Sequence, residues 1–203
     1  MTDRKQNSRE DLVWEEVSTE HVITDEWIDF RRQAFRLPDG SVFEPYYTFS
    51  RRDYVVIVPF DLEGKLLCVR QFRQGIREVT TEFPAGGIER GDQKGTGDPA
   101  GHTATESALE AAKRELREET GHVSDKWIHL LTIPSYVTLE DNYAHIYMAS
   151  ECRKEEEQEL DIMEFLHVER YDPEEIDRLI REGGFQQAVH VMAWLLAKEK
   201  QFG

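Results

Sequence analysis

The run Arg114-Glu115-Leu116-Arg117-Glu118-Glu119-Thr120-Gly121 holds the residue types that divalent-cation chemistry needs. Coiled as a helix, it carries Glu115, Glu118 and Glu119 at i, i+3 and i+4, so three carboxylates share one face. Arg114 precedes Glu118 by four residues and is within reach of an ion pair. Gly121 supplies a C-terminal residue free to take the left-handed conformation. The arrangement is costly for a bare helix: like charges at i,i+4 lose roughly 0.2–0.5 kcal/mol per pair. Acids in the last turn also meet the negative end of the helix dipole, at about 0.3–1 kcal/mol each. A helix shaped only for stability would carry them in its first turn, whereas a hard cation held by the three oxygens reverses the balance. The plain alternative is a solvated helix end, because Lys113, Arg114 and Arg117 are interleaved with the acids. The flanking sequence decides between them.

The helix is predicted from about Thr105 to Thr120, with Ala108, Leu109, Ala112 and Leu116 as its buried stripe. Thr103 or Thr105 is the expected cap, Thr103 having Glu106 at the capping-box spacing. Upstream, Glu82-Phe83-Pro84-Ala85-Gly86-Gly87-Ile88 reads as a strand breaking into a glycine-rich loop, and residues 89–105 as a surface loop. Tyr54–Phe60 is a continuous apolar strand, turned at Leu62–Lys65 into a partner at Leu66–Phe72. Downstream come a strand over Trp127–Ile133, a polar loop over Ser135–Asn142 with Glu140 and Asp141, and a strand over Tyr143–Ala149. Residues 154–159 read as a solvated glutamate run, and Asp161–Val168 as a strand. Helices follow over Pro173–Glu182 and Phe185–Lys200, the last with Val189, Met192, Ala193, Leu196 and Leu195 on its apolar face. Strands and helices mix without regular βαβ alternation, so the class is α+β or an α/β/α sandwich.

Ahead of this main domain, expected at 51–203, residues 11–50 read as a small antiparallel β-sheet and residues 1–10 as a disordered tail. Strands at Glu26–Leu37 and Val42–Phe49 flank the turn Pro38-Asp39-Gly40. Trp27, Phe30, Phe35, Phe43, Tyr46, Tyr47 and Phe49 are more aromatic surface than so small a sheet can bury alone. The chain's 203 residues carry a net charge of −16, which disfavours nucleic-acid and anionic-membrane partners. No apolar run reaches about 18 residues, and Cys68 and Cys152 lack metal-ligand spacing; the expectation is a soluble, cytoplasmic protein with reduced thiols.

Taken together, Pro84-Ala85-Gly86-Gly87, Glu106 and the helix end Arg114–Gly121 resemble the Nudix hydrolase signature, G-x5-E-x7-R-E-U-x-E-E-x-G-U, where U is bulky and aliphatic. Glu106, Arg114, Glu115, Leu116, Glu118, Glu119 and Gly121 match in type and spacing. Two departures stand out. Nineteen residues separate Gly86 from Glu106, fourteen more than the pattern has, and His122 holds the final aliphatic position, with Val123 next to it. The segment Val55–Gly87, with Gln71-Phe72-Arg73 and with Glu82 just before Pro-Ala-Gly-Gly, is similar to the branch that cleaves ADP-ribose and related nucleoside diphosphate sugars.

That resemblance implies a Nudix-type α/β/α sandwich with a mixed sheet, and an N-terminal sheet that swaps across a homodimer. It implies Mg²⁺, with Mn²⁺ as a substitute, held by Glu115, Glu119, Glu118 and the Ala85 carbonyl, with Glu106 reaching it through water. Arg114 would orient the glutamates. The general base would come from the loop Ser135–Asn142, Glu140 first and Asp141 second. Arg73 and Glu82 would contact phosphate, ribose or base, and Trp27 and Phe30 an adenine across the dimer. The implied reaction is hydrolysis of a nucleoside diphosphate sugar to a nucleoside monophosphate and a sugar phosphate. Dinucleoside polyphosphates, a mannose nucleotide and NADH are the other substrates this implies, and a non-catalytic nucleotide-binding module is the alternative of another class.

Overall fold

The computed structural model describes residues 12–89 and 106–203, and these divide into two compact units. The tail 1–10 and the loop of 92–105, with His102, Thr103 and Thr105, lie outside the described residues.

The smaller unit holds residues 12–51 and 136–141. Its strands β1 (Glu15–Thr24), β2 (Asp29–Arg36) and β3 (Val42–Ser50) form an antiparallel sheet in the order β1-β2-β3. Only β2 and β3 were legible as separate strands. β1 escapes pattern reading because almost every one of its side chains is exposed, so no alternation of buried and solvated positions marks it. Polar contacts tie the strands together instead: the Gln33 amide donates to Glu16 and Thr19 and accepts from the Thr48 hydroxyl. Trp14, Phe35, Phe43 and Tyr46 cluster with ring centroids 5.5–6.5 Å apart, a spacing at which edge-to-face aromatic contacts are favourable.

The larger unit holds the described residues of 52–135 and 142–203. Its strands are β4 (Tyr54–Asp61), β5 (Leu66–Arg73), β6 (Glu78–Glu82), β7 (Ala85–Gly87), β8 (His122–Val123), β9 (Lys126–Pro134), β10 (Tyr143–Lys154) and β11 (Leu166–Tyr171). Its helices are α1 (Ala108–Thr120), α2 (Pro173–Glu182) and α3 (Ala188–Phe202). The sheet is mixed: β10 runs parallel to β4 and antiparallel to β9, while β7 and β5 pair antiparallel with β4. β4 is buried on both faces, as its unbroken apolar sequence requires. Val55 and Ile57 pack with Ala111, Ala112 and Leu116 of α1, whereas Val56, Val58 and Phe60 pack with Ile176 of α2 and with Ala193, Trp194 and Ala197 of α3. The architecture is therefore α+β, with a mixed sheet between helices in the larger unit and a three-stranded antiparallel sheet in the smaller. No helix among the described residues is long and apolar enough to cross a membrane.

Three expectations need correcting. α1 starts at Ala108, not near Thr105, because Ser107 caps it: its hydroxyl accepts from Glu110 N–H while the Glu110 carboxylate accepts from Ser107 N–H. The strand expected over Asp161–Val168 begins only at Leu166 and continues to Tyr171, since Ile162, Met163 and Phe165 are exposed instead of packed. In α3 the expected Leu195 faces solvent, whereas Ala193 is buried and Val189, Met192 and Leu196 pack against the core as expected, joined there by His190, Trp194 and Ala197.

Candidate active site

α1 points two of its acids inward. Glu115 and Glu119 are both buried, on the same face as Leu116, and both reach the bend between Pro84 and Gly87. Glu119 accepts from Ala85 N–H at 3.0 Å. Glu115 lies so close to Gly86 that a Cβ built there would sit 2.0–2.3 Å from its carboxylate atoms; only glycine leaves room for the acid. Gly121 ends the helix at φ +71°, donating to Arg117 C=O at 2.7 Å, and a side chain there would strike Glu156 C=O.

Arg114 joins these parts. Its guanidinium donates to Glu115 at 2.7 Å, Glu118 at 3.0 Å, Glu106 at 2.8 and 3.3 Å and Gly87 C=O at 2.9 Å. Burial opposes its charge, but Glu106, Glu115 and Glu118 outweigh that and hold it firmly protonated. Glu106 also accepts from Glu89 N–H at 2.8 Å. Glu89 and Glu106 thus meet in space although the longest departure from the Nudix pattern lies between them in sequence. Burial raises the Glu106 pKa, yet the bonds from Arg114 and Glu89 keep it below the ordinary value.

The two inward acids shift in the same direction. Burial pushes Glu115 up to about 7 despite Arg114 beside it. Burial and then the Glu115 charge push Glu119 well up. Two carboxylates crowded out of water resist simultaneous ionisation.

Ala85 and Glu119 open onto a cleft of about 300 Å³, with Gln71, Phe72, Arg73 and Gln74 on one wall and Met163, Glu164 and Phe165 on another. Arg73 is half-exposed there, and its Nε donates to Glu82 at 2.8 Å. Glu82 does not reach the cleft itself. It is wholly buried, with its oxygens engaged by Arg73 and by the Gln187 side-chain amide, so it acts on the cleft through Arg73. Glu164 was missed by sequence reading, which took its segment as a strand. Its negative charge contributes to the raised pKa of both Glu115 and Glu119. The signal available was an acid flanked by Met163 and Phe165 just ahead of an apolar strand, which periodicity alone assigns to packing.

The segment leading to Glu164 is tied to the end of α1. Glu155 and Glu156 N–H groups donate to Gly121 C=O, Glu159 N–H to Glu118 C=O, and the Gln158 side chain to Glu119 C=O at 2.7 Å. The carbonyls that a helix leaves without partners at its C-terminus are thereby satisfied.

Glu140 and Asp141 belong to the smaller unit. Asp141 accepts from Ser50 at 2.5 Å and Arg31 at 3.1 Å, and Glu140 pairs through its backbone with Phe49. Burial raises the Glu140 pKa, with Arg51 opposing. Phe30 stacks on Tyr47 at 5.6 Å and 4°, while the Trp27 ring is exposed.

A buried acid pair turned onto a glycine bend, locked by one arginine beneath a mixed sheet, defines the class by fold and site together. The chain belongs to the NUDIX domain family, whose model matches residues 50–195. It is 26% identical over 186 residues to the ADP-ribose pyrophosphatase of Bacillus subtilis (strain 168), covering 90% of this chain and 92% of that protein. It is 24% identical over 184 residues to the methanol dehydrogenase activator of Bacillus methanolicus, covering 87% and 88%. A crystal structure described as an ADP compounds hydrolase superposes with a TM-score of 0.76 at 23% identity, covering 92% of this chain and 93% of that one; at that identity it speaks for the fold.

Proposed function

We propose that this Nudix hydrolase cleaves the pyrophosphate of ADP-ribose or a related nucleoside diphosphate sugar with the help of a divalent cation, yielding a nucleoside monophosphate and a sugar phosphate. The observation that carries the reading is the convergence of Glu115 and Glu119 on the Ala85–Gly86 bend at the floor of the cleft. The ADP-ribose specificity rests on the names of distant relatives.

Among the described residues no three Asp, Glu, His or Cys side chains form a ready metal centre, and Arg114 holds Glu115 and Glu118. The donor set nevertheless fits magnesium or manganese: it offers only hard oxygen donors, and its two crowded carboxylates gain from a cation between them. Glu115, Glu119 and Glu118 with the Ala85 carbonyl would hold it, and Glu106, already bound to Arg114, would reach it only through water. When bound, the ion supplies charge neutralisation on the pyrophosphate oxygens.

The chain's own groups do the rest. Arg114 fixes the glutamate carboxylates. Arg73, aimed by Glu82 at the rim of the cleft, offers a cation to phosphate or ribose oxygens. Glu164, on the opposite wall, takes the proton of the water that attacks phosphorus; it displaces Glu140 as the preferred base because it lines the same cleft as Glu119. The test is a screen of nucleoside diphosphate sugars, dinucleoside polyphosphates and NADH with Mg²⁺ or Mn²⁺, run on Glu164→Gln and Glu140→Gln beside the parent. Glu164→Gln is expected to lower kcat about 10²-fold or more, and Glu140→Gln much less; the reverse order returns the base to Glu140. No turnover of any diphosphate would favour a binding module.

The N-terminal sheet exposes Trp14, Val17, Val22, Ile23 and Trp27, apolar surface suited to a second copy of the chain, so we read the protein as a homodimer. Light scattering at micromolar concentration should give twice the 23.7 kDa chain mass; a monomer mass rejects it. Buried, unpaired Cys68 and Cys152 suit the reducing cytoplasm.

A further inference from the structure

Four consecutive residues ahead of the Gly86 bend are each held from outside their own strand. Glu82 accepts from Arg73 and from the Gln187 amide. Phe83 N–H donates to Nδ1 of His190 at 3.1 Å. Pro84 C=O accepts from Ile57 N–H at 3.0 Å, and Ala85 N–H donates to Glu119 at 3.0 Å. Gln187 caps α3 and His190 follows it by three residues, so both project from one face of a single helical turn. The Phe83 and His190 rings lie parallel, 5° apart, and Phe185 sets its ring edge-on to Phe83 at 5.0 Å. His190 is buried on a face otherwise filled by alanine and tryptophan. A leucine there would fill the space but leave Phe83 N–H without an acceptor.

From this geometry we infer that Gln187 and His190 on the first turn of α3 are positioning residues for the Ala85 bend, setting where its backbone meets Glu119. The inference rests on the metal-dependent reading above. Nδ1 accepts a hydrogen bond from the Phe83 N–H, so His190 is neutral with its hydrogen on Nε2; burial keeps it so by depressing its pKa to about 3. The side chain is buried and is not among the residues lining the cleft, so its effect on the reaction travels through the Phe83–Ala85 backbone.

The test measures Mn²⁺ binding by the electron paramagnetic resonance signal of the free ion, together with kcat and KM, on full-length protein. His190→Leu is expected to weaken Mn²⁺ binding and to lower kcat, each about tenfold, with KM for the sugar nucleotide unchanged. His190→Asn, whose side-chain oxygen can take the Phe83 N–H, should recover most of both. Gln187→Leu, at a partly exposed site, tests the same turn should His190→Leu fail to fold. Ile176→Val, in the same core cluster, should lower Tm and leave Mn²⁺ affinity alone. Wild-type Mn²⁺ affinity in His190→Leu or Gln187→Leu overturns the inference, as does an asparagine variant no better than leucine. Parent protein that neither binds Mn²⁺ nor hydrolyses any diphosphate overturns the metal reading and this inference together.

Discussion

Glu119 is a residue that the fold would be easier without. It is buried, next to another acid, with one amide N–H as compensation, and burial disfavours its charged form. Glu119→Gln removes the crowding and keeps an oxygen for Ala85 N–H. Its stability is expected to stay within about 1 kcal/mol of the parent, while turnover with saturating Mg²⁺ falls about 10²-fold or more. Steady-state kinetics beside a thermal melt reads both, and an unchanged kcat ends the metal assignment. At this scale the sequence spoke clearly: Arg114, Glu115, Glu118 and Glu119 were legible because their spacing is helical and their placement is electrostatically wrong for a bare helix. Glu82 was picked out but expected at the substrate, and Glu164 was not picked out, since nothing in one dimension says that the first is sealed beneath Arg73 or that the second turns toward Glu119.

Among the elements, α1 is the one whose ends matter most. Ser107 and Glu110 close its first turn reciprocally, and Gly121 closes the last. Ser107→Ala is expected to cost about 1 kcal/mol, a fall in Tm of about 2–4 °C for a chain of this size, with kcat preserved; lost activity at unchanged Tm would give Ser107 a different role. Apolar runs predicted β4, β5 and β10, and the range Pro173–Glu182 expected for the first C-terminal helix is that of α2. β1 and the residues around Glu164 escaped because their side chains are mostly solvated, which leaves no period to read. α3 was found with most of its core face, Val189, Met192, Ala193 and Leu196, but polar His190 was passed over and the larger Leu195 advertised a burial it does not have.

For the whole molecule, His190 is one group through which pH acts on stability. Its folded pKa of about 3 lies below the unfolded value of about 6.5, so between those values the unfolded chain binds more protons. Stability therefore rises with pH through that window and is lost as pH falls from about 6.5 toward 3. The shift corresponds to at most about 4–5 kcal/mol. His190→Asn should flatten that acid limb in urea titrations at pH 7, 6, 5 and 4; an equally steep limb in the variant assigns it to other groups.

The hydrogen bond between Glu89 and Glu106 gives the departure from the family spacing a geometric meaning. One bond fixes positions 89 and 106 against each other, whatever number of residues the sequence counts between them. A search that insists on a fixed ruler between glycine and glutamate would pass over chains whose interiors are intact.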